Sequence, residues 1–272
     1  MVNATVAILT LNSSKTIFRC LNNLVQFDEI IILDGGSIDS TLKIAKRFNC
    51  KIINQKKVFK FSNKRIKNFS EARNFILEKA KHDLILMLDS DEVLYQSNLN
   101  KIDFLSKSKI MKKKYYCFLI PRVPILKNSV YKETNLFPNF QPRLIYKSNV
   151  QKYIKNVHEK PIPINSRLKQ LKLKDIYINF SVELSNIQIK KKFEYYSSIE
   201  KKMMHGNFFT AMHFIFYGLL LLFKMYLKIL LYKKSNKKMI IFEKKMIKTR
   251  IFYLYSLLIY KLKISKKFTR DD

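Results

Sequence analysis

The sequence predicts an α/β fold built on a mainly parallel sheet and followed by a basic helical extension. Three observations carry this. Short β-branched apolar runs alternate with helical patterns through the first hundred residues, as successive β-α-β units do. All six prolines lie between Pro121 and Pro163, where the helical period fades and short strands take over. Beyond about Leu184 the pattern turns to apolar helix interrupted by lysine.

In chain order, Val6 to Leu11 reads as a strand and Thr16 to Val25 as a helix. Glu29 to Leu33 follows as a strand, Ser40 to Phe48 as a helix and Lys51 to Ile53 as a short strand. Ser70 to Lys79 has helical spacing, and Leu84 to Leu88 is a fully apolar strand, as a strand buried on both faces must be. Residues 54–68 form a basic connector with no clear period. From 115 to about 180, Pro121, Pro124, Pro138, Pro142, Pro161 and Pro163 punctuate short strands, the mark of a mixed, antiparallel half of the same domain. Gly206 to Phe223 then runs 18 residues without Asp, Glu, Lys or Arg, a borderline length for a span. Ile251 to Tyr260 is too short to cross a bilayer but long enough to lie in its interface, flanked by Lys248, Arg250, Lys261 and Lys263. The alternative is a C-terminal bundle in which both are core helices. A helix apolar on nearly all faces needs a large surround, and fewer than about 70 residues remain to supply it. Membrane contact is therefore the expectation.

Composition narrows the function. The 272 residues hold 53 Lys+Arg against 20 Asp+Glu, a formal charge of +33, which excludes an ordinary neutral cytosolic protein. At 47% hydrophobic the chain has enough apolar side chain for a core, so wholesale disorder is excluded too. Lysine, isoleucine, asparagine and phenylalanine abundance points to an AT-rich genome, and only 9 of the cations are arginine, so placement of charge says more than its total. Residues 1–100 hold 15 basic and 10 acidic side chains, and residues 101–272 hold 38 and 10. Such a surface suits nucleic acid, an anionic leaflet or a phosphorylated substrate. Cys20, Cys50 and Cys117 show no metal or disulfide spacing, which fits a reduced compartment. The N-terminus has neither a basic n-region nor a long apolar run, so no secretion signal is expected.

Open α/β sheets bind ligands beyond the carboxyl ends of their strands. Two such ends stand out. After the second strand comes Asp34-Gly35-Gly36-Ser37-Ile38-Asp39-Ser40-Thr41, with half of the chain's four glycines directly after a strand-terminal acid. Glycine permits positive φ and close approach of a ligand, while Ser37 or Asp39 can cap the next helix. The bland reading is a tight turn with capping residues. After the fourth strand, Leu88-Asp89-Ser90-Asp91-Glu92 sets three acids within four residues. Like charges this close repel unless a cation neutralises them, and Asp-x-Asp suits Mg²⁺ or Mn²⁺ shared with a substrate diphosphate. Neither a dinucleotide fingerprint nor a P-loop is present.

At these residues the chain resembles the family 2 glycosyltransferases of the GT-A fold. The resemblance runs through Thr10-Leu11-Asn12, Asp34 to Thr41, Ser70-Glu71-Ala72-Arg73-Asn74 and Leu88 to Glu92, and covers about residues 3–160. Gln141-Pro142-Arg143-Leu144-Ile145 and Val157-His158-Glu159 make it look most similar to the bacterial lipopolysaccharide-core β-glycosyltransferase branch. The resemblance implies a GT-A mixed sheet flanked by helices over 1–183, split into a nucleotide-binding half (1–100) and an acceptor-side half (101–183). Residues 184–272 then form a membrane-associating extension. It implies that Thr10 and Asn12 close the first strand against the nucleotide and that Asp34 accepts hydrogen bonds from uracil. Asp89 would face the ribose and metal, Asp91 ligate a Mn²⁺ or Mg²⁺ ion, and His158 either add a third ligand or orient the acceptor. Arg73 and Arg143 would approach the donor diphosphate, unless they are a helix-surface and a sheet-edge cation. Glu159 is the expected general base and Glu92 the runner-up. Gly35 departs from the family, which has an acid or serine there, and removes one ribose contact.

The expected activity is therefore metal-dependent transfer from a nucleotide-diphospho-sugar, UDP-hexose foremost, to a lipid-linked saccharide such as the lipopolysaccharide core, by an inverting single displacement. The expected place is the cytoplasmic face of the bacterial inner membrane, peripheral or monotopic, against anionic lipid. A basic nucleic-acid-binding module is the competing class, supported by charge and by 15 Tyr and 21 Phe. It leaves both acidic strand ends unexplained, so no nucleic-acid partner is expected. A non-catalytic, membrane-binding homologue is the third reading, opposed by the intact Asp89 and Asp91.

Overall fold

The computed structural model describes residues 1–60, 63, 65–126, 129–130, 139–156 and 158–181, with scattered helical positions between 194 and 254. The chain divides into two compact units, Met1–Tyr131 with Leu136–Val182, and Lys132–Asn135 with Glu183–Asp272.

The first unit begins with the expected β-α alternation. β1 (Val2–Thr10), α1 (Ile17–Asn22), β2 (Phe27–Asp34), α2 (Thr41–Lys46) and β3 (Lys51–Asn54) are followed by α3 (Phe69–Lys79) and β4 (Leu84–Asp89). β1 pairs in parallel with β2 and with β4, and β2 with β3. Both central strands are apolar on both faces because helices cover one side and α3 with the segment around Val150 and Tyr153 the other, as the two clusters around Ile8 and Ala7 show. The strands start earlier than the hydrophobic runs suggest. Val2, Ala4 and Phe27 are buried and extend β1 and β2 toward their amino ends. Correspondingly α1 stops at Asn22, because Leu24 and Phe27 turn the chain through backbone bonds to Leu21 and Leu24. The basic connector is folded around buried Phe59, with Lys60 and Ile66 bridging antiparallel.

The second half adds β5 (Glu92–Leu94), α4 (Leu99–Lys107), α5 (Lys109–Lys114), β6 (Tyr115–Leu126), β7 (Ser129–Val130) and β8 (Asn139–Tyr146). β9 (Val150–Ile154), β10 (Lys160–Pro163), β11 (Lys169–Lys172) and β12 (Ile178–Ser181) complete it. The main sheet runs β3-β2-β1-β4-β8-β6-β12-β5, with β11 and β7 also on β6, while β9 and β10 form a separate hairpin. β8 joins β4 and β6 antiparallel, which makes the sheet mixed. The prolines are accommodated by exchange of neighbours. β6 pairs with β11 up to Leu119 and with β12 from Arg122, so Pro121, lacking an N–H, sits in the gap. Pro142 lies just beyond the stretch of β8 that pairs with β4.

In the second unit the run Gly206 to Phe223 and the run Ile251 to Tyr260 fall largely outside the described residues. Gly218 and Leu254, which are described and helical, approach closely: a Cβ at Gly218 would stand 3.0 Å from Leu254 Cδ1. Among the described residues no helix is long and apolar enough to cross a membrane.

Candidate active site

The parallel strands β1, β2 and β4 end side by side, with Thr10 in register with Asp34 and Leu9 with Asp89. Their following loops are laced together. Asn12, held at φ 50°, accepts from the Ile38 amide through Oδ1 (2.9 Å) and donates its own amide to Ser37 Oγ (2.9 Å). Ser13 and Ser90 hydroxyls meet at 2.7 Å, and Asp39 accepts from the amides of Ser14 and Thr41 (3.0 Å each). Burial pushes the Asp39 carboxyl up, but these hydrogen bonds outweigh it and hold the group well below the usual range. Three strand ends thereby form one rigid platform.

Asp34 is used differently from the expectation. Its side chain is fully buried and accepts from Thr10 Oγ1 (3.0 Å), the amides of Gly36 (2.7 Å) and Ser37 (2.8 Å), and Ser37 Oγ (2.5 Å). Four donors saturate a carboxylate, so Asp34 anchors the turn that carries Gly36 at φ 101° and offers no free lone pair to uracil. Thr10 likewise spends its hydroxyl on Asp34. Lys60 caps the same turn, donating to the Gly35 carbonyl at 3.0 Å.

At the end of β4 stands an alternating line of charge. Glu159 accepts from Arg73 Nε (2.5 Å), whose Nη2 lies 3.8 Å from Asp89. Arg143 Nη2 donates to Asp89 (2.6 Å) and to Glu92 (2.6 Å), and Arg122 Nε stands 2.5 Å from Glu92. Three carboxylates and three guanidiniums thus alternate, giving a locally neutral set. Arg73 lies on the buried face of α3 and Arg143 on β8 inside the sheet, which removes the surface readings of both. Arg73 and Glu159 meet because α3 is pinned to β9 and to the chain that follows it. Asn74 exchanges two hydrogen bonds with the Tyr153 backbone (2.6 and 3.1 Å), and the Phe69 amide donates to Asn156 O (3.0 Å).

Burial works against ionisation of Asp89, but Arg143 first and then Arg73 outweigh it and hold its carboxyl well below the usual range. Glu159 behaves in the same way: burial raises it, and Arg73 overrides burial and lowers it. Glu92 goes the other way, because burial dominates over Arg143. Glu92 is wholly enclosed, with one oxygen taken by Arg143 and the other by the Asp89 amide at 2.9 Å. A carboxylate so enclosed cannot reach an acceptor hydroxyl, so the runner-up base is corrected to a strut beneath the site.

Asp91 is half-buried and makes no hydrogen bond or ion pair among the described residues. No three His, Cys, Asp or Glu side chains among those residues are placed to share a metal ion, so Asp89, Asp91 and His158 are not gathered as a ligand set. His158 is exposed with φ 54°, next to Glu159. An unpaired carboxylate beside a second one at a strand end fits a hard cation whose remaining ligands come from a diphosphate and water. Among the described residues Arg73 Nη1, Arg143 Nε and Arg122 Nε are buried donors with no hydrogen-bond partner, Arg122 Nε meeting Glu92 as an ion pair only; the first two are spare capacity for anionic oxygens. Sequence reasoning missed Arg122. Its signal was available, since arginine is scarce in this lysine-rich chain and three of the nine arginines stand in this one line.

A half-parallel, half-antiparallel sheet with acids at the end of β4 and guanidiniums facing them defines a GT-A fold. Residues 5–104 match the family model of the Glycosyl transferase family 2. It is 30% identical over 170 residues to the glycosyltransferase SunS of Bacillus subtilis (strain 168), covering 60% of this chain and 36% of that protein. It is 34% identical over 99 residues to an uncharacterized glycosyltransferase of Haemophilus influenzae, covering 36% of this chain and 38% of that protein. The chain therefore spans little more than a third of the length of these curated relatives. Among solved structures, a mannosyltransferase of Pyrobaculum calidifontis in complex with GDP-Man and Mn²⁺ aligns with TM-score 0.56 at 11% identity, covering 96% of this chain and 87% of that one. That likeness is one of fold.

Proposed function

We propose that the chain is a glycosyltransferase that moves a sugar, UDP-hexose being the expected donor, onto a lipid-linked saccharide such as the lipopolysaccharide core, by an inverting single displacement. The observation that carries the reading is the end of β4, where unpaired Asp91 stands beside Asp89, itself faced by Arg73 and Arg143. When bound, Mn²⁺ or Mg²⁺ neutralises the diphosphate leaving group. Asp91 and Asp89 would hold it. Arg73 and Arg143 would turn their unpartnered nitrogens to the diphosphate oxygens, where a planar fork fits best. Glu159, kept ionised, would take the proton of the acceptor hydroxyl once the donor draws Arg73 away from it. Asn12, the backbone around Gly35 and the platform of Ser13 and Ser90 would form the nucleotide side.

The match to family 2 and the named glycosyltransferase relatives support transfer from an activated sugar. The mannosyltransferase of the same fold carries GDP-Man and Mn²⁺, so guanosine donors belong in any donor screen. The basic, apolar extension 184–272 supports an acceptor held at an anionic, cytoplasmic membrane face. The test is titration calorimetry of UDP and of GDP into the full chain with and without Mn²⁺, for the wild type and Asp91→Ala. Metal-dependent binding that is lost in the variant supports the reading; binding that ignores both metal and substitution refutes it.

A further inference from the structure

We infer that Arg122 is a positioning residue of this site, acting through Glu92 on both Asp89 and Arg143; the inference rests on the nucleotide-sugar reading above. Arg122 makes no hydrogen bond or ion pair with Asp89 or Asp91 among the described residues, although its charge adds to the pull of Arg143 and Arg73 on Asp89. It closes the far end of the charge line, its Nε 2.5 Å from the carboxylate of Glu92. Glu92 is the joint of that line, since one oxygen receives Arg143 and the other the Asp89 amide. A single buried carboxylate therefore fixes both the backbone that aims Asp89 and the guanidinium that faces it.

Glu92 sits wholly enclosed, where an unpaired charge is costly. Arg143 alone cannot offset it, because the same Nη2 also serves Asp89. Arg122 supplies the second positive charge, and its own place is fixed by Phe180, whose ring lies 4.3 Å from the guanidinium carbon. The pairing of strands makes this arrangement a consequence of topology. Phe180 on β12 is the register partner of Glu92 on β5, and Ile178 on the same strand is that of Arg122 on β6. β12 thus brings the Arg122 side chain over Glu92 from one neighbouring strand to the other. Without Arg122, Arg143 becomes the one cation left on Glu92 among the described residues, is drawn toward it, and leaves Asp89 mis-aimed and with Arg73 as its main neutralising partner.

The experiment is titration of UDP with Mn²⁺ into the full chain as wild type, Arg122→Met, Glu92→Gln and the double variant, each checked by thermal unfolding. Arg122→Met is expected to weaken binding roughly 10- to 100-fold, the range for residues that orient metal-site ligands. Glu92→Gln keeps one acceptor oxygen, for the Asp89 amide, and removes the buried charge that draws Arg143 away from Asp89, so in the Arg122→Met background it is expected to recover part of the loss. A purely structural role of Arg122 would not be rescued by neutralising Glu92. Should Arg122→Met fail to fold, Arg122→Lys serves instead, with an expected loss near tenfold and the same rescue by Glu92→Gln. Wild-type-like affinity of the Arg122 variants, or a double variant whose losses simply add, overturns the inference while leaving the site reading intact. Absence of wild-type binding overturns the site reading, and the inference with it.

Discussion

Replacing Asp34 separates a turn anchor from a nucleobase contact. In the native turn the carboxylate takes two amide donors, Gly36 and Ser37, on one oxygen and two hydroxyls, Thr10 and Ser37, on the other. In Asp34→Asn the amide oxygen keeps the two N–H donors, and the hydroxyls rotate to accept from the new NH₂. What is lost is charge assistance, about 1 kcal/mol for each of the two amide bonds when a contact of roughly 1.5–3 kcal/mol becomes one of roughly 0.5–1.5. The expected destabilisation is therefore about 2 kcal/mol, or about 4–8 °C in Tm for a unit of this size. Asp34→Ala strands all four donors; partial solvation of the two amides limits the loss to about 3–5 kcal/mol. Urea unfolding of both variants, beside UDP and Mn²⁺ titration of Asp34→Asn, checks this, with binding expected within a few-fold of wild type. An Asp34→Asn protein of native stability that no longer binds nucleotide would falsify the anchoring role and restore the uracil contact.

Asp91→Asn is expected to keep its Tm within about 2 °C, because no partner among the described residues is lost, while Mn²⁺-dependent UDP affinity falls at least about tenfold; calorimetry and thermal scans decide it. Glu159→Gln is expected to retain donor binding and to lose roughly 10²–10⁴-fold in turnover, the usual contribution of a general base. Retained turnover with membrane-extract acceptors would move the base elsewhere. On acidification, Asp89, Glu159, Asp83 and Asp39 all have carboxyls held below their ordinary values, so the unfolded chain binds protons first and stability falls as pH drops below about 4 and through the folded values. Glu92, raised by burial, opposes this with the reverse sign. Asp28, held by Lys81 and His82, is lowered as well, and five lowered groups against one raised make the expected urea midpoint lower at pH 3 than at pH 5; a midpoint that rises would contradict the charge line.

The sequence by itself determined the order of elements through β4 and the two acidic strand ends. Both rest on local rules: strand and helix periods are written in neighbouring residues, and an acid after an apolar run marks a strand's carboxyl end. Arg73 and Glu159 were legible as candidates from the resemblance, each on its own motif. Only the tertiary structure decided what these residues face. Asp34 looks like a free acceptor in sequence and is saturated in the fold: three donors come from Gly36 and Ser37 of its own turn, and the fourth from Thr10 at the end of β1, 24 positions away. Glu92 reads as one acid of a cluster, yet its position on β5 buries it under Arg143 and Arg122, which lie 51 and 30 residues on. Long-range strand pairing is not written in any local period. Only that pairing makes a line of alternating charge from six residues scattered between 73 and 159.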